Sequence, residues 1–487
     1  MEVQPEKFKE SARRELQNIH SFHYLKNVLP EKNQDREASL ETFADPNAAQ
    51  AYGGAIRSEA LARLPELLGE FEKNASAHGS KILWARDGKE ANEIILRLAK
   101  ERGVSDVTKG KSMMTEEINL NAFLSQNGVA LWETDLGAFI TQLLDLPPFH
   151  IVGPAVNVPV AQIRDLFLQK VGLKEPTLDP VELGTAARKF LRNQFHRTRF
   201  GITGVNIAVA ETGTIINLEN EGNIRLNKSS PQTQVSVMGL EKLVPTLGDA
   251  LHLMRLLSRN CTGQKLSAYV TLDNGPKKKD EIDGPEELFI LIVDNGRSKI
   301  YKDFQAREAL RCIRCGACLN NCPIYRQIGG YPYGGTYSGP MAQVLTPALL
   351  GLDRTQDLYR ATTLCGKCKS VCPAGIDHPG LFLYYRSKDV EGNPLLKGKK
   401  RSRGEGLFIK GWIWTVNRSQ RWVWASRLLR FLTNFGAKQG MIRKGIGPLA
   451  RWFRSRDLPV VAQKTFRERW KEIAGKPTSW QADKLDR

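Results

Sequence analysis

The sequence predicts an α/β protein with a mostly parallel sheet, followed by a cysteine-rich domain and a basic helical C-terminal region. Three observations support this fold class. Short apolar segments alternate with amphipathic ones between residues 61 and 300, seven of the eight cysteines lie between Cys312 and Cys372, and most of the net positive charge follows residue 396. Strands that alternate with helices along a chain indicate a parallel sheet covered by helices.

Length and composition agree with several globular domains. The 487 residues predict two to four domains at roughly 100–200 residues each, and a chain that is 41% hydrophobic and 25% charged is not disordered as a whole. No stretch approaches the roughly 18 consecutive apolar residues of a membrane span. The N-terminus lacks the apolar segment of a secretory signal. We therefore expect a cytoplasmic protein.

Hydrophobic periodicity predicts the individual elements. Residues 1–60 have apolar side chains at helical spacing, as in 8–16, and form a predicted helical N-terminal region. Strands are predicted at 81–85, 129–133, 148–152, 205–210, 214–218, 223–226, 267–272 and 288–293. Helices are predicted at 60–71, 88–101, 160–173, 181–195 and 240–258. The segment 219–222 between two of these strands has the composition of a hairpin turn.

The pattern changes after residue 300. A short helix is predicted at 303–311, and the Gly-, Pro- and Tyr-rich segment 327–341 is predicted to be an ordered loop beside a metal site, since long loops in compact domains tend to be functional. Residues 397–403 resemble a linker. The predicted domains are a helical region (1–60), an α/β domain (61–300), a cysteine domain (301–396) and a basic domain (397–487).

The cysteines form two related runs. The first contains Cys312, Cys315, Cys318 and Cys322 before a proline, the C-x2-C-x2-C-x3-C-P run of bacterial ferredoxins. The second contains Cys365, Cys368 and Cys372 before a proline, with Thr362 at the position of the missing first cysteine. In a large chain without a signal segment, clustered thiols indicate a metal site rather than disulfides.

In such runs the cysteine before the proline ligates the other cluster. This rule assigns Cys312, Cys315, Cys318 and Cys372 to a first cluster, and Cys322, Cys365 and Cys368 to a second. The second cluster lacks one thiolate. Its fourth ligand could be Cys261, His378 or a residue of a partner, or the cluster could contain three irons. Cys261 could equally be an inert buried thiol and His378 an ordinary loop histidine, and zinc is the alternative for the whole set.

Paired clusters transfer single electrons. The sequence has no G-x-G-x-x-G after a strand, no phosphate-binding G-x-x-x-x-G-K-[ST] loop and no C-x-x-C-H haem motif. These observations predict an electron carrier that does not itself handle hydride.

Several short motifs together resemble the lactate-utilisation iron–sulfur protein B family. They are Lys111-Ser112-Met113, Thr115-Glu116-Glu117, the segment 133–137, Gly204-Val205-Asn206 and the segment 210–214, followed by the two cysteine runs. The resemblance covers about residues 60–390, and the Trp-rich tail fits the family's C-terminal domain. Two positions depart from what we expect there: Ala138 stands where an acidic residue is expected, and Asn157 where a histidine is expected.

The resemblance implies an α/β domain with the fold of ribose-phosphate isomerases and CoA transferases. It implies a cytoplasmic complex of three proteins that oxidises L-lactate to pyruvate, whose other members are a second cysteine-rich subunit and a subunit with a LUD domain. This chain would carry the electrons and would not be the catalyst. The seven cysteines of the two runs would bind two [4Fe-4S] clusters.

Some charged residues of the α/β domain are further candidates for a binding site. Glu211 follows an apolar strand, where open α/β sheets place ligand sites, but it could simply satisfy the amides of a turn. The cluster of Glu133, Thr134 and Asp135 has the same two interpretations. Lys111 could pair with an anionic substrate or with one of these carboxylates. No catalytic residue is predicted. A rival hypothesis is that this domain itself binds and oxidises a hydroxy acid, with the clusters as first acceptors.

The tail is strongly basic. From residue 397 onwards it has 23 Lys and Arg against 6 Asp and Glu, and seven of the nine tryptophans lie between Trp412 and Trp480. Such a segment indicates an anionic partner. Docking to partner subunits is preferred. Peripheral attachment to an anionic membrane surface is the alternative, and an iron–sulfur protein that binds nucleic acid through the tail is disfavoured.

Overall fold

The computed structural model describes residues 4–19, 21, 24–435, 437, 439–443, 450, 453 and 456–474. The chain divides into two units, Met1–Lys400 and Arg401–Arg487. Across these described ranges, no helix is both long and apolar enough to cross a membrane. The four-domain division predicted from the sequence stays a prediction.

The N-terminal region is helical, as predicted. Its elements are the 3₁₀ turn Pro5–Lys7, the helix Phe8–Glu15, the π-helical turn Tyr24–Val28 and the helices Leu29–Leu40, Pro46–Ala62 and Leu64–Ala77. Asp45 caps the helix Pro46–Ala62 by accepting hydrogen bonds from the amides of Asn47 and Ala48. A side chain at Gly53 would lie 2.8 Å from the carbonyl oxygen of Pro373. This helix therefore packs directly on the second cysteine run.

The strands of the first unit form two sheets. In chain order they are β1 (Lys81–Ala85), β2 (Asp106–Lys109), β3 (Ala130–Glu133), β4 (Phe200–Gly204), β5 (Ile207–Val209), β6 (Thr214–Glu219), β7 (Thr233–Gly239), β8 (Leu243–Val244), β9 (Tyr269–Asp273) and β10 (Glu287–Val293). The larger sheet has six strands in the order β1-β10-β7-β4-β2-β3. Every pairing in it is parallel, which confirms the predicted fold class.

The central strands are buried on both faces, as parallel sheets require. Val235 and Val237 of β7 and Ile290 and Ile292 of β10 have no exposed surface. The smaller sheet has the order β8-β5-β6-β9 and is mixed, since β5 pairs antiparallel with β6 and parallel with β8. The predicted strands at 81–85, 129–133, 205–210, 214–218, 267–272 and 288–293 all correspond to observed strands.

Helices alternate with the strands along the chain, and one of them, Leu247–Thr262, packs against the small sheet rather than the large one. They are Gly88–Glu101, Met113–Glu117, Leu120–Gln126, Leu136–Leu143, Val160–Lys170, Pro180–Arg197, Asn223–Ser229, Leu247–Thr262 and Arg297–Lys302. The helix Gly88–Glu101 buries the face of Ile95 and Leu98 against the sheet. This is the face that the sequence periodicity predicts.

Three predicted elements are wrong. Residues 148–152 form no strand, because Phe149 is buried between Tyr325 and Tyr331 rather than in a sheet. Residues 223–226 begin a helix instead of the second strand of a hairpin: the carboxylate of Glu219 accepts the amides of Ile224 and Arg225 at 2.6 and 2.9 Å and so caps that helix.

The third wrong prediction is the start of the helix at residue 240. The 3₁₀ turn Leu240–Lys242 and the strand β8 come first, and the helix begins at Leu247. Thr246 and Asp249 form a reciprocal capping box there. The apolar residues Leu243 and Val244 before this cap belong to the small sheet. The helical spacing of apolar residues does not distinguish this short strand from the first turn of a helix.

The cysteine region consists of short helices. They are the 3₁₀ segment Ala306–Arg311, the helices Ala317–Asn320 and Tyr325–Ile328, the 3₁₀ turn Tyr331–Tyr333 and the helices Gly339–Leu350, Gln356–Arg360, Lys367–Ser370 and His378–Glu391. The helix predicted at 303–311 is thus a 3₁₀ segment. The predicted loop 327–341 is shorter than expected, because it contains the turn Tyr331–Tyr333 and ends where a helix begins at Gly339.

The second unit contains the helices Arg403–Val416, Ser419–Phe435 and Phe466–Ile473 and the antiparallel strands β11 (Met441–Ile442) and β12 (Leu458–Pro459). The first two helices meet through Trp412 and Trp422, whose rings lie edge to face at 5.9 Å. The helix Arg403–Val416 buries none of its residues. Trp452 and Trp480 lie outside the described residues.

Candidate functional site

The two cysteine runs have the same local backbone. Gly316 and Gly366 both adopt φ 78° and ψ −7°, in the left-handed region where glycine is favoured, and each begins a four-residue helix. The residues two positions earlier, Arg314 and Leu364, also have positive φ, 64° and 54°. The structure therefore repeats one loop geometry in both runs.

The seven cysteines of the runs divide between two cavities. Cys312, Cys315, Cys318 and Cys372 line one cavity. Cys322, Cys365 and Cys368 line another, together with Thr362 and Thr363. The last cysteine of each run thus lies with the other run, which is the division that the ferredoxin spacing predicts.

Backbone amides are directed at the thiols. The amide of Arg314 donates to the sulfur of Cys312 at 3.3 Å, and that of Ile376 donates to the sulfur of Cys372 at 3.4 Å. Burial raises the pKa of the Cys372 thiol to about 11, although amides oppose the shift. A buried thiolate therefore needs a cation beside it. Amide hydrogen bonds to the sulfurs are among the interactions that set the reduction potential of iron–sulfur clusters.

All eight cysteines are free of disulfides. Within the part of the chain that the structure describes, no three His, Cys, Asp or Glu side chains converge closely enough to hold a single metal ion. The residues fit an iron–sulfur group because the thiols line two cavities and backbone amides donate to them.

The two candidates for a fourth ligand of the second group lie elsewhere. His378 is buried and lines the cavity of the first group, where its Nδ1 lies 3.1 Å from the carbonyl oxygen of Ile376. Burial lowers its pKa to about 4. Cys261 lines a third, larger cavity beside Lys111, and burial raises its pKa to about 11. Thr362 and Thr363 line the second cavity together with the three thiols.

The third cavity lies at the carboxyl ends of the parallel strands and has a volume of about 330 Å³. We call it the sheet-end cavity. Residues just after β2, β3, β4, β7 and β10 reach it: Lys111 and Ser112, Asp135, Val205 and Asn206, Glu241 and Lys242, and Arg297. Open α/β sheets place their ligand sites at this edge. Arg314 and Ile151 line both this cavity and that of the first cysteine group, so the two adjoin.

One wall of the sheet-end cavity is acidic. The ammonium group of Lys111 lies 2.6 Å from the carbonyl oxygen of Val152 and 3.4 Å from the carboxylate of Asp135. Glu221 lines the same wall and accepts the amide of Leu136 at 3.0 Å. Burial and the neighbouring Asp135 raise the pKa of Glu221 to about 7. This wall therefore disfavours additional negative charge.

A second part of the cavity lining contains a buried ion-pair network. Glu241 accepts from Arg297 at 2.6 Å and from Arg314 at 3.1 Å, and Arg297 also pairs with Glu117 at 2.8 Å. Burial opposes ionisation of Glu241, but the two arginines outweigh it and lower its pKa to about 2. Lys242 lines the same wall, and burial together with Arg314 lowers its pKa to about 8. Sequence reasoning missed this network because its members are distant in the chain.

The other sequence candidates have local roles. Glu211 is exposed and accepts the amide of Leu247 at 3.0 Å, as expected for a residue that satisfies a turn, and it does not line the cavity. Glu133 is buried 2.7 Å from the ammonium group of Lys109. Asn157 bonds to the hydroxyl of Tyr331 at 3.1 Å, and Ala138 is buried in the helix Leu136–Leu143.

Three family models match consecutive parts of the chain. They are described as LUD domain (residues 68–293), 4Fe-4S dicluster domain (residues 308–376) and Lactate utilisation protein B, C-terminal (residues 384–474). The second of these contains all seven run cysteines.

Curated relatives cover most of the chain. Lactate utilization protein B of Macrococcus caseolyticus is 38% identical over 471 residues, which are 96% of this chain and 97% of the relative. The proteins of the same name from Geobacillus kaustophilus and Geobacillus thermodenitrificans are each 41% identical, over 85% and 87% of this chain and 86% and 88% of the relatives.

Proposed function

The chain belongs to the lactate utilisation protein B family, and on that premise we propose that it is the electron-transfer subunit of a cytoplasmic complex that oxidises L-lactate to pyruvate. Its 4Fe-4S dicluster domain makes it an iron–sulfur protein of lactate utilisation. The observation that carries the proposal is the division of the seven run cysteines between two cavities.

In this proposal each of the two cavities holds one cluster. Cys312, Cys315, Cys318 and Cys372 would hold a first [4Fe-4S] cluster. Cys322, Cys365 and Cys368 would hold a second, which either takes a further ligand or contains three irons. When bound, such clusters store and transfer single electrons.

The surroundings of the two groups differ in a way that suits this role. Cys365 is exposed, so the second group is accessible to a redox partner, whereas none of the four cysteines of the first group is exposed. The first group lies beside the sheet-end cavity, with Arg314 in the wall that they share. The chain thus offers one accessible end and one end buried against the α/β domain.

We further propose two partner proteins, a second cysteine-rich subunit and a subunit with a LUD domain. The name of the relatives places them in lactate utilisation. The basic second unit supplies the docking surface in this proposal. Its helices expose aromatic side chains, including Phe408, Trp414 and Trp424, beside many Lys and Arg residues. Peripheral attachment to an anionic membrane is the alternative use of the same surface.

The proposal is tested by separating electron transfer from catalysis. The purified, cluster-loaded chain should accept electrons from a strong reductant and should not oxidise L-lactate until its two partners are added. Each step is followed by the visible absorbance of the clusters and by pyruvate formation. Robust lactate oxidation by the pure, flavin-free chain would overturn the electron-carrier proposal and favour the rival in which the α/β domain is the catalyst.

A further inference from the structure

The two cysteine runs correspond to each other at a constant offset of 50 residues. Three pairs of cysteines have this offset: Cys315 and Cys365, Cys318 and Cys368, and Cys322 and Cys372. At the same offset Thr362 stands where the first run has Cys312. The second cavity therefore has a threonine at the position from which the first cavity receives a thiol.

The backbones of the two runs are held by the same hydrogen bonds. In the first run the amide of Leu319 donates to the carbonyl oxygen of Gly316 at 2.9 Å. In the second run the amide of Lys369 donates to the carbonyl oxygen of Gly366 at 3.0 Å. The amide of the last cysteine donates to the carbonyl oxygen three residues before it, at 3.1 Å in the first run and 3.2 Å in the second. Corresponding side chains therefore start from equivalent points of the loop.

The correspondence extends to the side chain of Thr362. In the first run the amide of Arg314 donates to the sulfur of Cys312 at 3.3 Å. In the second run the amide of Leu364 donates to Oγ1 of Thr362 at 3.0 Å. The hydroxyl oxygen of Thr362 thus lies, relative to its own loop, where the first run has the sulfur of a proposed cluster ligand.

The other candidates for this position are less suitable. His378 and Cys261 line other cavities. Thr363 lines the second cavity, but its counterpart in the first run is the apolar Ile313. The hydroxyl of Thr363 also donates already to the thiol of Cys365.

The backbone on both sides of the Thr362 hydroxyl is fixed. Gln343 is 1% exposed and donates from its Nε2 to the carbonyl oxygen of Ala361, the preceding residue. The amide of Thr362 itself donates to the carbonyl oxygen of Arg360 at 2.9 Å. The hydroxyl is therefore presented to the second cavity from an ordered segment.

We propose that Thr362 supplies the fourth protein ligand of the second cluster through its hydroxyl oxygen. This inference rests on the proposed function, because it requires a cluster in the second cavity. The bond that forms joins iron to Oγ1, and the hydroxyl proton passes to solvent, which reaches the exposed residues 363–365. Iron–sulfur clusters prefer soft thiolate ligands, so the iron bound to this oxygen is held less tightly than the others.

Mild oxidation of the full chain tests this difference between the irons. After loading with ferrous iron and oxidation with ferricyanide, the wild type should fall from about eight to about seven iron per chain and show the EPR signal of a three-iron cluster. Thr362→Cys completes the ferredoxin run and should keep about eight. Thr363→Val is the matched control and should lose iron as the wild type does. A wild type that keeps all its iron or never exceeds about seven, or equal loss in Thr362→Cys, would overturn the proposal.

Water is the competing oxygen ligand, and labelled solvent distinguishes it from the threonine. In H₂¹⁷O the reduced second cluster of the wild type should show no ¹⁷O coupling by electron–nuclear double resonance, because its oxygen ligand belongs to the chain. Thr362→Val should show either this coupling or a three-iron cluster. Coupling in the wild type, or a four-iron cluster without coupling in Thr362→Val, would overturn the proposal.

The same samples separate this inference from the electron-carrier proposal. Two clusters with solvent oxygen bound to the second would overturn the threonine ligand alone, whereas a chain without iron and sulfide would overturn both proposals. If Thr362→Val fails to fold, the wild-type spectrum in labelled water decides. Thr362→Ser, which retains a hydroxyl, should then reproduce that spectrum, and coupling to solvent oxygen in it would count against the proposal.

Discussion

Arg314, two residues after the first ligand candidate Cys312, donates from its Nη2 to the Oε1 of Glu241 at 3.1 Å. Glu241 follows the central strand β7, so this ion pair joins the first cysteine run to the α/β sheet. Arg57 of the N-terminal helices meets the same region, donating to the carbonyl oxygens of Leu243 at 2.7 Å and Leu310 at 3.2 Å. The position of the cysteine run thus depends on residues from three parts of the first unit.

Replacing Glu241 tests how much this network contributes. Glu241→Gln leaves Arg314 buried without its carboxylate and leaves Arg297 with Glu117 as its remaining partner. Breaking a buried ion pair costs about 3–5 kcal/mol. We expect a clearly lower midpoint of denaturant unfolding and weaker iron retention. Glu59→Gln removes an exposed carboxylate from its pair with Arg63 and should change neither. Equal unfolding midpoints and equal iron content in the two variants would contradict the role of the network.

The same pair predicts a pH dependence. The pKa of Glu241 is lowered to about 2 in the folded chain, below that of an unfolded glutamate. Its contribution to stability should therefore be complete above about pH 4.5 and decline as the pH falls towards 2. Unfolding midpoints of wild type and Glu241→Gln, measured in steps below pH 5, should converge. A constant difference would contradict the assignment of this pKa.

The positive charge of Arg36 near the first cysteine group predicts that the two clusters have different reduction potentials. Arg36 lies within electrostatic reach of Cys315 and Cys372, and its Nη2 donates to the carbonyl oxygen of Val371 at 3.1 Å. Positive charge stabilises the reduced, more negative cluster. Arg36→Gln should lower the potential of the first cluster in an EPR-monitored redox titration and leave the second unchanged, and Arg36→Lys should restore part of the loss. Equal shifts in both clusters would contradict this assignment.

A truncation after Lys400 tests the second unit. Leu396 is fully buried and its carbonyl accepts the amide of Leu352 at 2.8 Å, so a cut before residue 396 would damage the first unit. The truncated chain should keep its iron and lose complex formation. Association of the full chain should weaken with salt, because exposed charges are screened over about 8 Å at physiological ionic strength.

Membrane attachment predicts a different result in the same pair of proteins. The full chain would float with anionic vesicles and the truncated chain would not. Each basic residue near an anionic surface contributes roughly 1 kcal/mol to the free energy of binding. If the truncated chain still assembles and the full chain ignores vesicles, both proposed uses of the tail are wrong.

The sequence predicted the fold class because strongly apolar strands such as β10 are recognisable in isolation. Of the large sheet it missed β2, β4 and β7. Strand β7 alternates polar and apolar residues although both its faces are buried. The side chains of Gln234 and Ser236 are satisfied there because each forms a hydrogen bond with the hydroxyl of Thr203. Strand β4 contains two glycines, and a side chain at Gly201 would collide with the carbonyl oxygen of Asn227. Such strands depend on tertiary contacts that no local pattern shows.

The candidate site was likewise predictable from the sequence only in part. The grouping of the thiols along the two cavities agrees with the crossing of the last cysteine in a ferredoxin run, and their assignment as cluster ligands stays a prediction. The sheet-end cavity could not be predicted, because Lys111, Lys242 and Arg314 come together only when the parallel strands are aligned. Of these three residues only Lys111 was a sequence candidate, and the carboxylate with which it pairs is Asp135.

Anaerobic purification followed by iron, sulfide and EPR analysis shows whether the chain holds two clusters. We expect about eight iron and eight sulfide per chain, or about seven iron if the second cluster contains three. Cys372→Ser should remove the signal of the first cluster, although this residue lies in the second run, and Cys368→Ser should remove that of the second. Zinc without acid-labile sulfide, or loss of the second cluster's signal in Cys372→Ser, would contradict the account.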